Sequence, residues 1–294
     1  GLCFFAIIVS TYACHKFVMC NRTGMNGVHL TEMGISMDCQ KVLDAFAEYT
    51  GRYDCSDGKI KLKIDHTYRV AGLCRRIATS LDLSAADADL AWSIGMLHDV
   101  GRFEQLRKYG TFSDAESIDH AHYAVEILFD EGRIHDYLAI HEQDDEYRII
   151  RTAVYNHSAY RVEEGLDERT KMFCDILRDA DKIDILKVNH DVPLEVIYNV
   201  STEELRNAVV TEEVMNEFFG KHAVLRSLKR TCVDNIVGHA ALVFELVYPE
   251  SRLAVKEQGY LDKILNFPSD NPKTCKQFEE LRSFMEAYLQ NDIL

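Results

Sequence analysis

Five ionisable side chains of this 294-residue chain stand where helical periodicity predicts a buried face. His66 is followed by apolar residues four, seven, eight and eleven positions later, and each of the others has an apolar residue three or four positions away. Any one of them alone is more typical of a core residue than of a metal ligand. Because burying unpartnered ionisable groups is costly, five on separate helices predict convergence on a cation. The five are His66, His98, His120, His157 and Asp181.

The adjacent pair His98 and Asp99 adds a sixth candidate ligand. Neighbouring residues of an α-helix point about 100° apart, so both can reach one ion only near a helix end or an irregularity. Gly101 follows closely and could provide that end. The sequence therefore predicts a metal site where one helix stops beside this pair.

Three segments together resemble the HD superfamily of metal-dependent phosphohydrolases. They are residues 66–70 (HTYRV), 97–102 (LHDVGR) and 178–184 (RDADKID). The resemblance covers roughly residues 60–190 and implies an all-α fold, an HD-domain helical bundle with additional C-terminal helices. It also implies a core ligand set of His66, His98, Asp99 and Asp181.

Two further histidines extend the resemblance to the binuclear HD proteins. His120 lies in the pattern HxxxA and His157 in the triplet NHS. The resemblance implies that Asp99 bridges to a second metal ion held by these two residues. Ser158 stands where many HD-GYP proteins have a second histidine, and the GYP signature is missing, so a cyclic-dinucleotide phosphodiesterase of that subtype is not expected.

Mixed histidine and carboxylate ligands suit Fe, Mn, Co, Ni or Zn, as one or two ions. The resulting prediction is an enzyme that hydrolyses a phosphate monoester or phosphodiester, a nucleotide or another small phosphorylated metabolite, by a metal-activated hydroxide. Candidate catalytic residues are Asp99, Arg102 and Lys182. Candidate substrate-binding residues are Arg102, Gln105, Tyr109 and Phe112, in a segment (102–118) that we interpret as an active-site loop.

Two other functions remain open from the sequence. The HD fold also hosts diiron oxygenases with the same six ligands, and only the nearby Arg102 and Lys182 favour phosphate ester cleavage over that reaction. A non-catalytic nucleotide-binding sensor is the other alternative, and the intact ligand set argues against it. No oligomeric state is indicated.

Charge and cysteine content limit the partners and the compartment. The net charge of −15 disfavours duplex nucleic acid and anionic membranes, so a small anionic substrate would need local positive charge from a metal or from a few basic residues. The nine cysteines form no CxxC or CxxxC pair. Free thiols in a reducing cytoplasm are the simplest interpretation, and we expect a cytoplasmic protein.

The positioning elements are predicted from periodicity and caps. Residues 1–36 are interpreted as an N-terminal extension outside the core fold. Their apolar run at 2–14 is too short to span a bilayer, and four of the nine cysteines lie in residues 1–39. Residues 37–294 are predicted to form a single HD-type domain, with a motif core at 60–190 and a C-terminal helical extension at 191–294. Predicted helices cover 37–50, 64–82, 84–98, 119–131, 145–158, 168–190, 201–219, 221–247 and 273–290. Segment 249–272 is predicted as mostly loop, and the alternation at 59–64 could be a strand.

Overall fold

A computed structural model describes residues 37–195 and 200–291, and within these residues it contains helices and no β-strand. This confirms the all-α prediction. The helices are α1 (Cys39–Thr50), α2 (Gly58–Ser80), α3 (Ala85–Leu97), α4 (Val100–Tyr109), α5 (His120–Val125), α6 (Ile134–Tyr137), α7 (Asp145–Asn156), α8 (Glu168–Asp191), α9 (Thr202–Asn207), α10 (Glu212–Phe219), α11 (Val233–Ala240), α12 (Pro249–Gln258), α13 (Tyr260–Leu265) and α14 (Pro272–Asn291).

Side-chain caps fix several helix starts. Ser84 accepts a hydrogen bond from the backbone N–H of Asp87 at the start of α3, and Ser201 accepts one from Glu204 at the start of α9. Both starts were predicted. Asp57 caps α2 through the N–H of Lys59, so α2 begins at Gly58. The possible strand at 59–64 is therefore wrong, since this segment is the first part of α2.

The predicted active-site loop at 102–118 is also wrong in its first half. Residues 100–109 form α4, which ends at Gly110 in the left-handed conformation with φ 71°. Val100, Phe103 and Leu106 are buried at three-residue intervals, which explains why this charged segment is helical. Only the part after Gly110 is irregular, with a single 3₁₀ turn at Asp114–Glu116.

Two long helices predicted in the C-terminal part are interrupted. The carboxylate of Asp234 is buried and accepts hydrogen bonds from the backbone N–H groups of Thr211, Arg230 and Thr231. These bonds hold the chain in non-helical turns before α10 and α11, so 201–219 and 221–247 are not continuous. Segment 249–272 is more helical than predicted, because Pro249 occupies the first turn of α12, where no backbone N–H is needed.

The core of the N-terminal part is built on α2, which packs along α3 and α8, while α7 packs against α8 and α5. Gly95 allows α3 to pack closely against α2, because a Cβ at this position would lie 2.6 Å from the Cα of Ala71 in α2. This close packing brings the helix that carries His66 against the end of the helix that precedes His98.

The C-terminal helices extend the same apolar core, with the rings of Phe244 and Phe284 packed around buried Phe218. Arg76 on α2 makes ion pairs with Glu250 and Glu257 on α12, which ties this part to the core of the N-terminal part. None of the described helices is both long and apolar enough to cross a membrane. The predicted extension at 1–36 lies outside the described residues and stays a prediction.

Candidate metal centre

Three predicted ligands from three parts of the chain meet in the core. His66 comes from α2, His98 from the junction of α3 and α4, and Asp181 from α8. The Nε2 atom of His66 lies 3.3 Å from Nε2 of His98 and 3.2 Å from Oδ1 of Asp181. Both histidines are buried. These three residues offer ligand atoms close enough to one another to hold one metal ion.

A second group forms around the other side of Asp99. Its Oδ2 atom lies 3.5 Å from Nε2 of both His66 and His98. Its Oδ1 atom lies 3.6 Å from Nε2 of His120 and 3.8 Å from Nε2 of His157. The two oxygens of one buried carboxylate therefore face two different groups of imidazoles, which is the arrangement that a bridging ligand needs.

The spacing of the donor atoms fits ligands of a transition metal. Two donors at about 2.1 Å from one ion lie roughly 3.0 Å apart at a right angle and roughly 3.4 Å apart at a tetrahedral angle. His120 Nε2 and His157 Nε2 are 3.0 Å apart, and His66 Nε2 and His98 Nε2 are 3.3 Å apart. The two histidine nitrogens of each group are thus already spaced as they would be around an ion.

Two imidazoles are fixed in the ligand tautomer by backbone carbonyls. His98 donates its Nδ1–H to Gly95 O, and His157 donates its Nδ1–H to Val154 O, each over 2.7 Å. A carbonyl only accepts, so the proton must sit on Nδ1 in the neutral ring. The lone pair on Nε2 then faces the cluster, as a metal ligand requires.

The other two imidazoles are held by carboxylates. Nδ1 of His66 lies 2.6 Å from Asp184, which also pairs with Arg69 at 2.6 Å. Nδ1 of His120 lies 2.8 Å from Asp114. A carboxylate behind a histidine fixes the ring and makes its Nε2 more basic. Each group of donors therefore contains one carbonyl-held and one carboxylate-held histidine.

The electrostatics keep most of the donors in their metal-binding forms. Burial lowers the pKa of His98 and lowers the pKa of His120 and of His157 to about 4, so these rings are neutral at pH 7. For His66, burial acts in the same direction, but Asp181 and Asp184 overcome it and raise the pKa. The pKa of Asp99 is well below its usual range, because the surrounding positive groups, led by Lys63, outweigh the effect of burial.

The junction between α3 and α4 explains how adjacent residues reach one site. α3 ends at Leu97, and Asp99 has φ −107° and ψ 14°, outside the helical range. The predicted helix end is therefore present at the pair itself. Gly101 has a different role from the one predicted, since it lies within α4. A Cβ there would be 2.4 Å from His120 O, so glycine lets α5 bring His120 to the cluster.

Arg102 lies beside the cluster, with Nε 3.7 Å from Oδ1 of Asp99. One of its terminal nitrogens is committed, since Nη1 donates to Asp114 Oδ1 at 2.8 Å and to Phe112 O at 2.7 Å. Its Nε–H is buried and has no hydrogen-bond partner among the described residues. The Phe112 ring packs near this guanidinium, 5.9 Å from its central carbon.

The other predicted substrate contacts are placed less favourably. Gln105 is fully buried, and its amide binds Asp114, Ser117 Oγ and Ile118 O, which argues against contact with a substrate. Its position instead indicates that it supports the segment after α4. Tyr109 is 49% exposed at the end of α4, and its predicted contact stays a prediction. Burial lowers the pKa of Lys182, next to Asp181, to about 8, so its amine is still charged at neutral pH.

Lys63 is a component of the cluster that the sequence analysis missed. Its Nζ lies 2.8 Å from Oδ2 of Asp99, and its side chain is only 18% exposed. The Nζ also lies 5.6 Å from the centre of the Phe112 ring, so Lys63 and Arg102 flank this ring. The available signal was its position one helical turn before His66 on the same helix.

The motif at residues 178–184 on α8 also contains residues that hold neighbouring elements in place. Buried Arg178 donates Nη1 to the carbonyls of Asn156 (2.8 Å), His157 (3.2 Å) and Ala159 (2.5 Å). These contacts satisfy backbone carbonyls at the C-terminal end of α7, where a positive charge is favourable, and fix the backbone of His157. The next residue, Asp179, accepts from the backbone N–H of Val247 at 3.0 Å, just before α12.

Residues 64–189 match the family model described as HD domain. No curated protein and no solved structure gave a significant match to the chain. The matched range contains all six predicted ligands, from His66 on α2 to Asp181 on α8. The three quoted motifs and the convergence of these predicted ligands agree with this match, so residues 64–189 are an HD domain.

Proposed function

We propose that this protein is a metal-dependent phosphohydrolase that cleaves a phosphate monoester or phosphodiester, a nucleotide or another small phosphorylated metabolite. The observation that carries the proposal is the convergence of four histidines on the two oxygens of Asp99, with Asp181 beside His66, and with Lys63 and Arg102 beside the same Asp99 carboxylate. The HD superfamily generally comprises metal-dependent phosphohydrolases. Both the donor set and the adjacent positive charge support this reaction.

The residues divide into two groups of metal ligands that share Asp99. His66, His98 and Asp181 would hold one ion, and His120 and His157 would hold a second. Histidine nitrogen and carboxylate oxygen together suit Fe, Mn, Co, Ni or Zn. When bound, such an ion supplies Lewis acidity toward a phosphoryl oxygen and lowers the pKa of water.

The chain itself supplies the charge that an anionic substrate needs. The protein has a net charge of −15, so binding a phosphate group requires local cations. Lys63 and the Nε–H of Arg102 meet this need, because both lie beside the Asp99 carboxylate. We assign them to binding the phosphoryl oxygens and to stabilising the negative charge that grows on these oxygens in the transition state.

The test is metal analysis of the purified protein, followed by a screen of nucleotides and phosphodiesters with Mn, Fe and Co. We expect transition metal in the protein and metal-dependent phosphate or nucleotide release. Asp99→Ala should lose both bound metal and hydrolysis while keeping its helical circular dichroism spectrum. The matched control is Asp65→Ala, which removes an exposed carboxylate next to His66.

Three outcomes would contradict the proposal. Wild-type metal content in Asp99→Ala would remove the bridging role of this residue. Metal-loaded protein that binds nucleotides without turnover would identify a sensor. Oxygen consumption by the iron-loaded protein, with no release of phosphate from esters, would identify an oxygenase with the same ligands.

A further inference from the structure

The carboxylate of Asp114 contacts both a predicted metal ligand and a predicted substrate-binding residue. Its Oδ2 atom lies 2.8 Å from Nδ1 of His120, and its Oδ1 atom accepts a hydrogen bond from Nη1 of Arg102 at 2.8 Å. Asp114 begins the 3₁₀ turn between α4 and α5, twelve residues after Arg102 and six before His120. The two contacts use different oxygens, so both can form at the same time.

Gln105 fixes the position of Asp114 relative to Arg102. Its Nε2 donates to Oδ1 of Asp114 at 2.9 Å, and its Oε1 accepts from Nη1 of Arg102 at 2.8 Å. Gln105 is fully buried, and the side chains of Arg102 and Asp114 are only 14% and 17% exposed. The three side chains therefore form a closed triangle of hydrogen bonds, which leaves the guanidinium little freedom to turn.

The hydrogen bonds of Arg102 all involve one nitrogen of its guanidinium. Nη1 donates to Gln105 Oε1, Phe112 O and Asp114 Oδ1. Nε and Nη2 make no hydrogen bond to any residue that the structure describes. These two nitrogens form one edge of the guanidinium, which can bind two oxygens of a phosphate group, and we call them the free edge of Arg102. Its Nε lies 3.7 Å from Oδ1 of Asp99, the oxygen that faces the second group of metal ligands.

Asp114 accepts on both sides because it is ionised. Burial alone would raise the pKa of Asp114, but the hydrogen bond from His120 and the positive charge of Arg102 lower it below its usual range. A carboxylate has two acceptor oxygens, whereas asparagine has one oxygen and one NH₂ group that only donates. Asparagine at position 114 can therefore accept from His120 or from Arg102, but not from both.

We propose that Asp114 is a positioning residue for substrate binding, which orients the free edge of Arg102 toward the phosphoryl group while its other oxygen holds His120. This inference rests on the function proposed above, since it concerns a phosphoryl group at the metal centre. One carboxylate then serves a metal ligand and the arginine that binds the anion. Phosphate affinity and the second metal position therefore depend on the same side chain.

The experiment is a double-mutant cycle on the binding of orthophosphate to the full chain, measured by isothermal titration calorimetry with the metal centre saturated with Mn. Asp114→Asn should weaken phosphate binding about tenfold when Arg102 is present, since a hydrogen bond to a charged group contributes about that much. In the Arg102→Ala background, the same substitution should change the phosphate affinity less than about twofold, because the residue through which Asp114 acts is missing.

The matched control is Asp184→Asn, which changes the carboxylate behind His66 and contacts Arg69 instead of Arg102. Its effect on phosphate affinity should be the same with and without Arg102. Equal weakening by Asp114→Asn in both backgrounds, no weakening in either, or absence of phosphate binding to the Mn-saturated wild type would overturn the inference. Hydrolysis enters none of these measurements. Phosphate binding with the expected cycle but no turnover of any ester would contradict the proposed function alone, and turnover with an additive cycle would contradict the positioning role alone.

Discussion

Replacing Asp184 with asparagine should weaken one metal position and leave the other nearly intact. Asp184 is buried, and its Oδ2 atom lies 2.6 Å from Nδ1 of His66. The substitution keeps the shape of the side chain but removes the charge that makes His66 a better donor. Loss of a carboxylate behind a metal-binding histidine typically lowers metal affinity about 10–100-fold, or roughly 1.4–2.7 kcal/mol. The effect should fall near the lower limit, because the asparagine oxygen can still accept from Nδ1.

The assay is calorimetric titration of Mn or Co into the metal-free protein, fitted for two steps. Asp114→Asn is the matched control, since Asp114 holds His120 in the other group at 2.8 Å. Each variant should weaken a different step. Wild-type affinities in Asp184→Asn, or the same step weakened in both variants, would refute the view that each carboxylate serves its own group of donors.

Three further predictions concern packing, catalysis and pH. Gly101→Ala should destabilise the protein by about 1–3 kcal/mol, because the added Cβ would clash with α5. Gly72→Ala should stabilise α2 slightly, because no atom lies within 4 Å of the added Cβ. Denaturant unfolding measures the free energy of unfolding of both variants. Arg102→Ala should keep its metals but lose about two to three orders of magnitude in hydrolysis rate, with partial recovery in Arg102→Lys, and equal turnover would remove Arg102 from the site. Burial, with Lys229 and Arg226 nearby, lowers the pKa of His239 from 6.5 to about 3, so the unfolded state binds the extra proton between these values. The stability that His239 contributes is present above about pH 6.5 and is lost as the pH falls toward 3, by up to about 1.4 kcal/mol per pH unit. In this pH range the free energy of unfolding of His239→Gln should therefore change less steeply with pH than that of the wild type.

The candidate metal ligands were visible in the sequence because polar residues stand at helical positions where apolar residues are expected. Histidine and aspartate on apolar helical faces are visible in the sequence, and His66, His98 and Asp181 do lie together in the structure. The groups that support them were not predictable in the same way. Asp184 contacts His66, 118 residues away in the chain, and Lys63 contacts Asp99, 36 residues away. Helical periodicity does not predict contacts at such separations.

The errors in the helix predictions have a similar cause. Gly101 was interpreted as a stop signal, although a glycine within the first turn of a helix is tolerated when a neighbouring helix needs the space. Asp234 interrupts two predicted helices through bonds to backbone groups 23 and 4 residues earlier, which no local propensity contains. Local patterns identified the elements near the site well, and tertiary hydrogen bonds decided where the others ended.

The motif on α8 has a consequence for how this protein can vary. Within seven consecutive residues, Arg178 holds the end of α7, Asp179 holds the start of α12, Asp181 faces the cluster and Asp184 holds His66. Substitutions can alter these contacts one at a time. An insertion or deletion of a single residue upstream in the helix would instead turn all four side chains by about 100° and separate every one from its partner. Relatives of this chain should therefore tolerate length changes in the loops around α8 and none within the helix before Asp184.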